Sequence, residues 1–274
     1  MTRAEIHASG DLMAGSKDAS NTVPYSGAIA GLIARHSVVG LIGALLTYLF
    51  WLSRPEWVAE MRFWRAVGDA SLIFLYVTLA LGPATRFFPS ISMFLPYRRE
   101  LGVWFGIFAI VHTIIIFDGW VQWDVFQFMG YQFVPQLQQM VRLESGFGMA
   151  NILGLLAVLM ALPLMATSAD WATRKLGGSS WKLLHYGANT IFYLVALHTA
   201  YFLYIHYTAS LHREPPPNAN WFQIPFAVLT MAMLTLRAGA FIKTVRQRTR
   251  RTNRRVMDAN SSTMLPVLDA EEGL

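Results

Sequence analysis

Seven histidines stand in this chain of 274 residues, and their surroundings set what they can do. Three of them, His185, His198 and His206, fall within residues 181–207, WKLLHYGANTIFYLVALHTAYFLYIHY, which carries no charge after Lys182. That stretch is long enough to cross hydrocarbon, which takes about 20 residues. A fourth, His112, lies in another uncharged run at 101–117. Imidazoles retained in a membrane span generally serve a purpose. Two of them at one level, on separate helices, can grip a metal centre from opposite sides. The chemistry this pattern allows is axial ligation of a haem iron by His112 and His198, with electrons crossing the membrane.

Depth can be read by counting from the cationic anchors. His112 lies 13 residues beyond Arg99, and His198 lies 16 beyond Lys182. At about 1.5 Å per residue the two rings reach nearly the same level. His185, three residues past Lys182, falls roughly 20 Å short of His198 and cannot share its iron. It is a candidate ligand for a second haem near the opposite face. The step from His185 to His198 turns an ideal helix by about 140°, away from a common side. No histidine stands at matching depth on the 101–117 run, where Arg98 and Arg99 occur instead.

The elements that must position these residues are six apolar runs, at 28–52, 70–85, 101–117, 147–167, 181–207 and 222–241. With 54% hydrophobic and 14% charged residues, the chain departs from soluble domains, where about a quarter of residues are charged. The expected fold is an all-α integral membrane protein, a six-helix bundle spanning 27–242. A flexible polar tail at 1–26 precedes it and a basic tail at 243–274 follows. Residues 54–65 read as a charged loop. Residues 118–146 read as an aromatic loop in the membrane interface, the level Trp and Tyr prefer. The first 25 residues lack the apolar core of a signal peptide.

Six spans put both termini on one side. If that side is inside, the outer loops hold only Arg54, Arg62, Arg65, Arg142 and Arg213, and 17 of the 22 Lys and Arg lie inward. The positive-inside rule then places both termini in the cytoplasm. The formal charge of +6 is explained first by topology, next by an acidic partner or anionic lipid, and not by nucleic acid. There is no cysteine, which excludes disulfides, thiolate-ligated haem, cysteine-held clusters and covalent haem attachment.

A histidine in a span can simply hydrogen-bond to a neighbouring helix. That reading suits His36, His206 and His212, and His7 has no evident role. Gly102 and Gly106 form a small-residue face on the third run, and Gly187 sits beside His185; each leaves room for close packing or a flat macrocycle. Arg98, Arg99 and Lys182 suit haem carboxylates or, equally, interfacial anchoring.

The residues Arg98-Arg99-Glu100-Leu101-Gly102 and His112, then Trp181-Lys182-Leu183-Leu184-His185, Tyr193 and His198, resemble the ferric-reductase-like transmembrane superfamily. Within it they are most similar to the MsrQ branch, the haem-binding subunits of the bacterial periplasmic methionine-sulfoxide-reductase system. The resemblance covers about 68–207. It implies that His112, His185 and His198 are haem-linked and that haem b is bound once or twice, with Arg98 and Arg99 the candidate cofactor contacts by their charge. It implies an inner-membrane protein that takes electrons from a cytosolic flavin reductase, carrying FMN or FAD, or from a quinone, and delivers them to a periplasmic reductase. The chain would then be an electron-transfer subunit rather than a self-contained enzyme.

Three classes of function follow. The first is a b-type cytochrome, with a ferric or metal reductase component as its near relative. The second is a transporter whose histidines relay protons or bind metal; against it, the spans are expected to lack the buried Asp or Glu that proton-coupled transport commonly uses, and there is no obvious inverted repeat. The third is a scaffold with structural histidines.

Overall fold

The computed structural model describes residues 25–142, 146–206 and 220–263. The sequence expectations for His7, His212, Arg213 and most of the 1–26 tail fall outside them. Six helical segments are long and apolar enough to cross a membrane, at 29–52, 59–84, 89–121, 147–166, 178–205 and 223–259. The bundle is formed by α1 (Tyr25–Leu52), α2 (Ala59–Ala84), α3 (Arg98–Ile116), α5 (Phe147–Ala166), α7 (Gly178–Ala200) and α8 (Gln223–Thr263). A 3₁₀ segment, Pro89–Tyr97, leads into α3, and a short α6 (Asp170–Leu176) joins α5 to α7. Both α3 and α7 finish in a π turn, Phe117–Val121 and Tyr201–Ile205.

Helix α2 is the centre of the bundle. Of its apolar window 61% is buried, against 11–22% for the other five, and it packs on α1, α3, α7 and α8. The outer helices turn Leu41, Leu45, Leu183 and Ile224 outward, as residues that face acyl chains should be. Close approach is secured by small residues. Any Cβ on Gly40 would meet the Trp104 ring at 2.4 Å, and one on Gly106 the Met165 sulfur at 2.9 Å. Gly102 and Gly187 have ordinary van der Waals room instead.

Of the charged stretch read as a loop, residues 54–58 do precede α2, whereas 59–65 form its first two turns. Arg62 donates to the Trp51 carbonyl at 2.9 and 3.0 Å, with its guanidinium 4.2 Å from the Trp51 ring. Arg54 donates to Asp69 at 2.7 Å and to Asn220 at 3.2 Å. Because Arg62 is bonded to a carbonyl and lies on an aromatic face, the helix can begin at Ala59, inside the charged stretch. The third span is also longer than its apolar run, reaching from the 3₁₀ segment to the π turn. The sixth helix continues without a break into the basic tail, as far as Thr263.

The described part of the aromatic stretch, residues 118–142, closes one end of the bundle, here called the cap end. It contains α4 (Val125–Phe128) and a hairpin of β1 (Tyr131–Val134) and β2 (Gln139–Arg142), paired antiparallel with Tyr131 opposite Arg142 and Phe133 opposite Met140. That hairpin is the one β element among the described residues.

Two acids lie buried in the spans, which corrects the expectation of none. Asp69 is 8% exposed and Glu100 1%. Each has an arginine from α1 or the residues just after it: Arg54 to Asp69 at 2.7 Å and Arg35 to Glu100 at 2.8 Å. The partners are 15 and 65 residues away in sequence, so the pairing exists only once the helices are docked.

Candidate functional site

Four helices build the site as two matching hairpins, α2 with α3 and α5 with α7. On α3 the His112 ring lies against Gly68 of α2, where an added Cβ would come within 3.0 Å of it. Its Nδ1 is 2.9 Å from the Trp64 carbonyl, one helical turn before that glycine. On α7 the His198 ring lies against Gly154 of α5, where a Cβ would come within 2.7 Å. Its Nδ1 is 2.7 Å from the Ala150 carbonyl, again one turn before the glycine. Adding 86 to 64, 68 and 112 gives 150, 154 and 198. The repeat is parallel, since α2 and α5 run the same way through the bundle.

The carbonyl oxygens can only accept, so Nδ1 of each histidine carries the hydrogen and Nε2 keeps its lone pair. This is the tautomer that ligates a metal, and a backbone carbonyl behind the ring is the usual means of fixing it. Glycine is required because the ring occupies the volume a side chain would take. Nothing in composition reveals this, but the repeated spacing of 44 residues from glycine to histidine is present in the sequence.

Both histidines line one cavity of about 420 Å³ between the two hairpins, a size in the range of small-molecule and cofactor sites. The threonines that follow them, Thr113 and Thr199, line it as well. Its polarity is uneven. Away from the cap the walls are mostly apolar, with Leu72, Phe105, Ala109, Val158 and Val195 beside Ser71, whose hydroxyl is taken up by the Phe105 carbonyl, whereas toward the cap they include Arg65, Gln132, Asn151 and His206. Asp69 also reaches it, already paired with Arg54. Trp120 and Phe128 of the cap cover that end. A flat, apolar macrocycle with a metal at its centre and acidic groups on one rim matches this arrangement: two imidazole lone pairs, glycine-made clearance and a graded wall.

The remaining predicted residues lie elsewhere. His185 is near the opposite end of α7, stacked on Trp181 with ring centroids 4.1 Å apart and with Nε2 3.3 Å from the Thr167 hydroxyl. Arg98 donates to the Thr78 carbonyl at 3.1 Å, and Arg99 pairs with Asp170 at 3.1 Å. None of the three lines the cavity. His206, read from sequence as a structural residue, is 8% exposed and does line it. Arg65, read as part of a loop, lines it too.

The family described as "Ferric reductase like transmembrane component" matches residues 39–193, more than half of the chain. The chain belongs to that family. The matched part runs from within α1 to within α7; it holds His112 and His185 and ends five residues before His198. The protein is a multi-pass protein of the bacterial inner membrane. Among named relatives, the "Protein-methionine-sulfoxide reductase heme-binding subunit MsrQ" of Bordetella parapertussis is 30% identical over 181 residues, covering 64% of this chain and 81% of that protein. The same subunit of Bordetella pertussis is also 30% identical over 181 residues. The "Magnetosome protein MamZ" of Paramagnetospirillum magneticum is 29% identical over 141 residues, 49% of this chain. The chain spans only 19% of the length of that magnetosome protein. No solved structure matches the chain.

Proposed function

We propose that this chain binds haem b between His112 and His198 and carries electrons across the inner membrane as a subunit of a larger redox system. The reading rests on one observation above all: two histidines on separate hairpins face one cavity, each with its Nδ1 held by a backbone carbonyl. Equivalent positioning by a repeated unit is what two equivalent axial ligands need. When bound, a haem with both axial positions filled supplies a one-electron ferrous/ferric couple and no open site for oxygen. The chain's own part is to present the two Nε2 atoms, exclude water with Trp120, Phe128 and the apolar wall, and hold the site at a fixed depth. The relatives named as haem-binding subunits support the same cofactor.

Both termini are placed in the cytoplasm by the distribution of cations, so the cap faces the periplasm. On this reading 27–242 is the membrane domain and 243–274 a basic cytoplasmic extension. Electrons enter from a cytosolic flavin reductase carrying FMN or FAD, or from a quinone, and leave toward a periplasmic reductase. His185, with Arg98 and Arg99 nearby in sequence depth, is the candidate for a second, inner haem. The residue that the 86-residue repeat sets opposite it on α3 is Arg99, so the inner level lacks the paired histidines of the outer one, and the minimal reading is a single haem.

The test is the absorption spectrum of the detergent-purified protein after haem-replete expression. A reducible, six-coordinate, low-spin b-type spectrum is expected. His112→Ala and His198→Ala should each remove it, and His185→Ala should leave the outer-site signal in place. Survival of that signal in either of the first two variants rules out the pairing.

A further inference from the structure

We propose that Arg65 and His206 receive the carboxylates of the macrocycle and thereby fix which of its rims faces the cap; the proposal rests on the haem reading above. The argument starts from the uneven wall. A porphyrin of the b type has two carboxylates on one rim. Burying an ionised carboxylate against Leu72, Phe105, Val158 and Val195 would leave its charge without compensation. Every cationic or N–H-rich side chain that lines the cavity lies beyond the histidine pair on the cap side, among them Arg65 and His206. The carboxylate rim is therefore driven to that end.

Backbone geometry brings the two residues to the same end of the cavity, at different levels. Arg65 precedes Gly68 by three residues on α2, about 4.5 Å nearer the cap. On α7, His206 follows His198 by eight residues, about 12 Å farther along. In an unbroken α-helix that step would leave His206 about 80° round from His198. The intervening π turn at Tyr201–Ile205 takes up about one extra residue and returns it to within roughly 20° of the same face. The ring contacts agree. The Arg65 guanidinium is 5.6 Å from the Phe202 ring, and the Phe202 ring is 5.4 Å from that of His206. One cation and one imidazole thus flank a shared aromatic at the rim of the cavity. Asp69, which also reaches the cavity, is paired with Arg54 at 2.7 Å.

The assignment separates recognition of the carboxylates from ligation of the metal, and the two can be measured apart. Protein produced under haem limitation and purified in detergent is titrated with haem and with haem dimethyl ester, which lacks the negative charges. Wild type should bind haem at least tenfold more tightly than the ester, with a six-coordinate low-spin spectrum for both. Arg65→Met and His206→Phe should each lose most of that preference while binding the ester as wild type does. Arg62→Met, on the same helix but bonded to Trp51, should keep it. Equal wild-type affinity for haem and ester overturns the proposal, as does a variant that weakens both ligands alike. If neither ligand gives a low-spin spectrum, the histidine pair itself fails, and that outcome is distinct from loss of preference alone.

Discussion

Replacing Gly154 by alanine tests the site where its clearance is smallest. The new Cβ would sit 2.7 Å from Nδ1 and 2.8 Å from Cε1 of His198, where optimal separations are about 3.5–4.0 Å. The imidazole or α5 must give way by roughly 1 Å, and the 2.7 Å bond from Nδ1 to the Ala150 carbonyl would stretch to about 3.5 Å or beyond, past hydrogen-bonding range. Overpacking of this kind costs about 1–3 kcal/mol, and the lost hydrogen bond adds about 1 kcal/mol. At about 1.4 kcal/mol per tenfold, haem affinity should fall by between ten- and a thousandfold. Gly68→Ala brings a Cβ to 3.0 Å of His112 and should do the same more mildly. Gly187→Ala, with 3.7 Å of clearance to Met160, should do nothing. Haem titration of the three purified variants, with the low-spin spectrum as a check on ligation, gives the order directly. If Gly154→Ala binds haem like wild type, or if Gly187→Ala is as damaging, clearance at the histidine rings is not what shapes this site.

The Arg54–Asp69 pair, 1% and 8% exposed, should be far costlier to break than to remove. Asp69→Leu alone leaves a buried guanidinium and should destabilise by about 3–5 kcal/mol, while Arg54→Met with Asp69→Leu should recover much of the loss in thermal unfolding of the detergent-solubilised protein; equal damage from the single and double changes would rule out an ion-pair role. The absence of cysteine makes topology directly measurable. Thr249→Cys should react with an impermeant maleimide only from the cytoplasmic side of membrane vesicles and Gln138→Cys only from the periplasmic side, and the opposite pattern would invert the proposed electron path. Trp181→Leu, which removes the ring stacked on His185, should leave haem binding between His112 and His198 unchanged; a loss there would mean that the two ends of α7 are coupled.

Much of this protein was determined by its sequence before any folding is considered. Six apolar runs of about membrane length, a one-sided distribution of cations and two histidines counted to one depth follow from local composition and helix rise. All three are one-dimensional quantities. The family resemblance was legible too, because its motifs are contiguous. The start of α2 was not, since a run of charges reads as a loop until Trp51 is present to receive Arg62. The buried acids were missed for the same reason, with Glu100 neutralised by an arginine 65 residues away. His206 was read as a structural residue because a histidine in a span can simply bond to a neighbouring helix, and a π turn lies between it and His198. Tertiary structure alone decided the roles of Gly68 and Gly154. A glycine is silent in composition, and its meaning is the imidazole that a neighbouring helix lays across it.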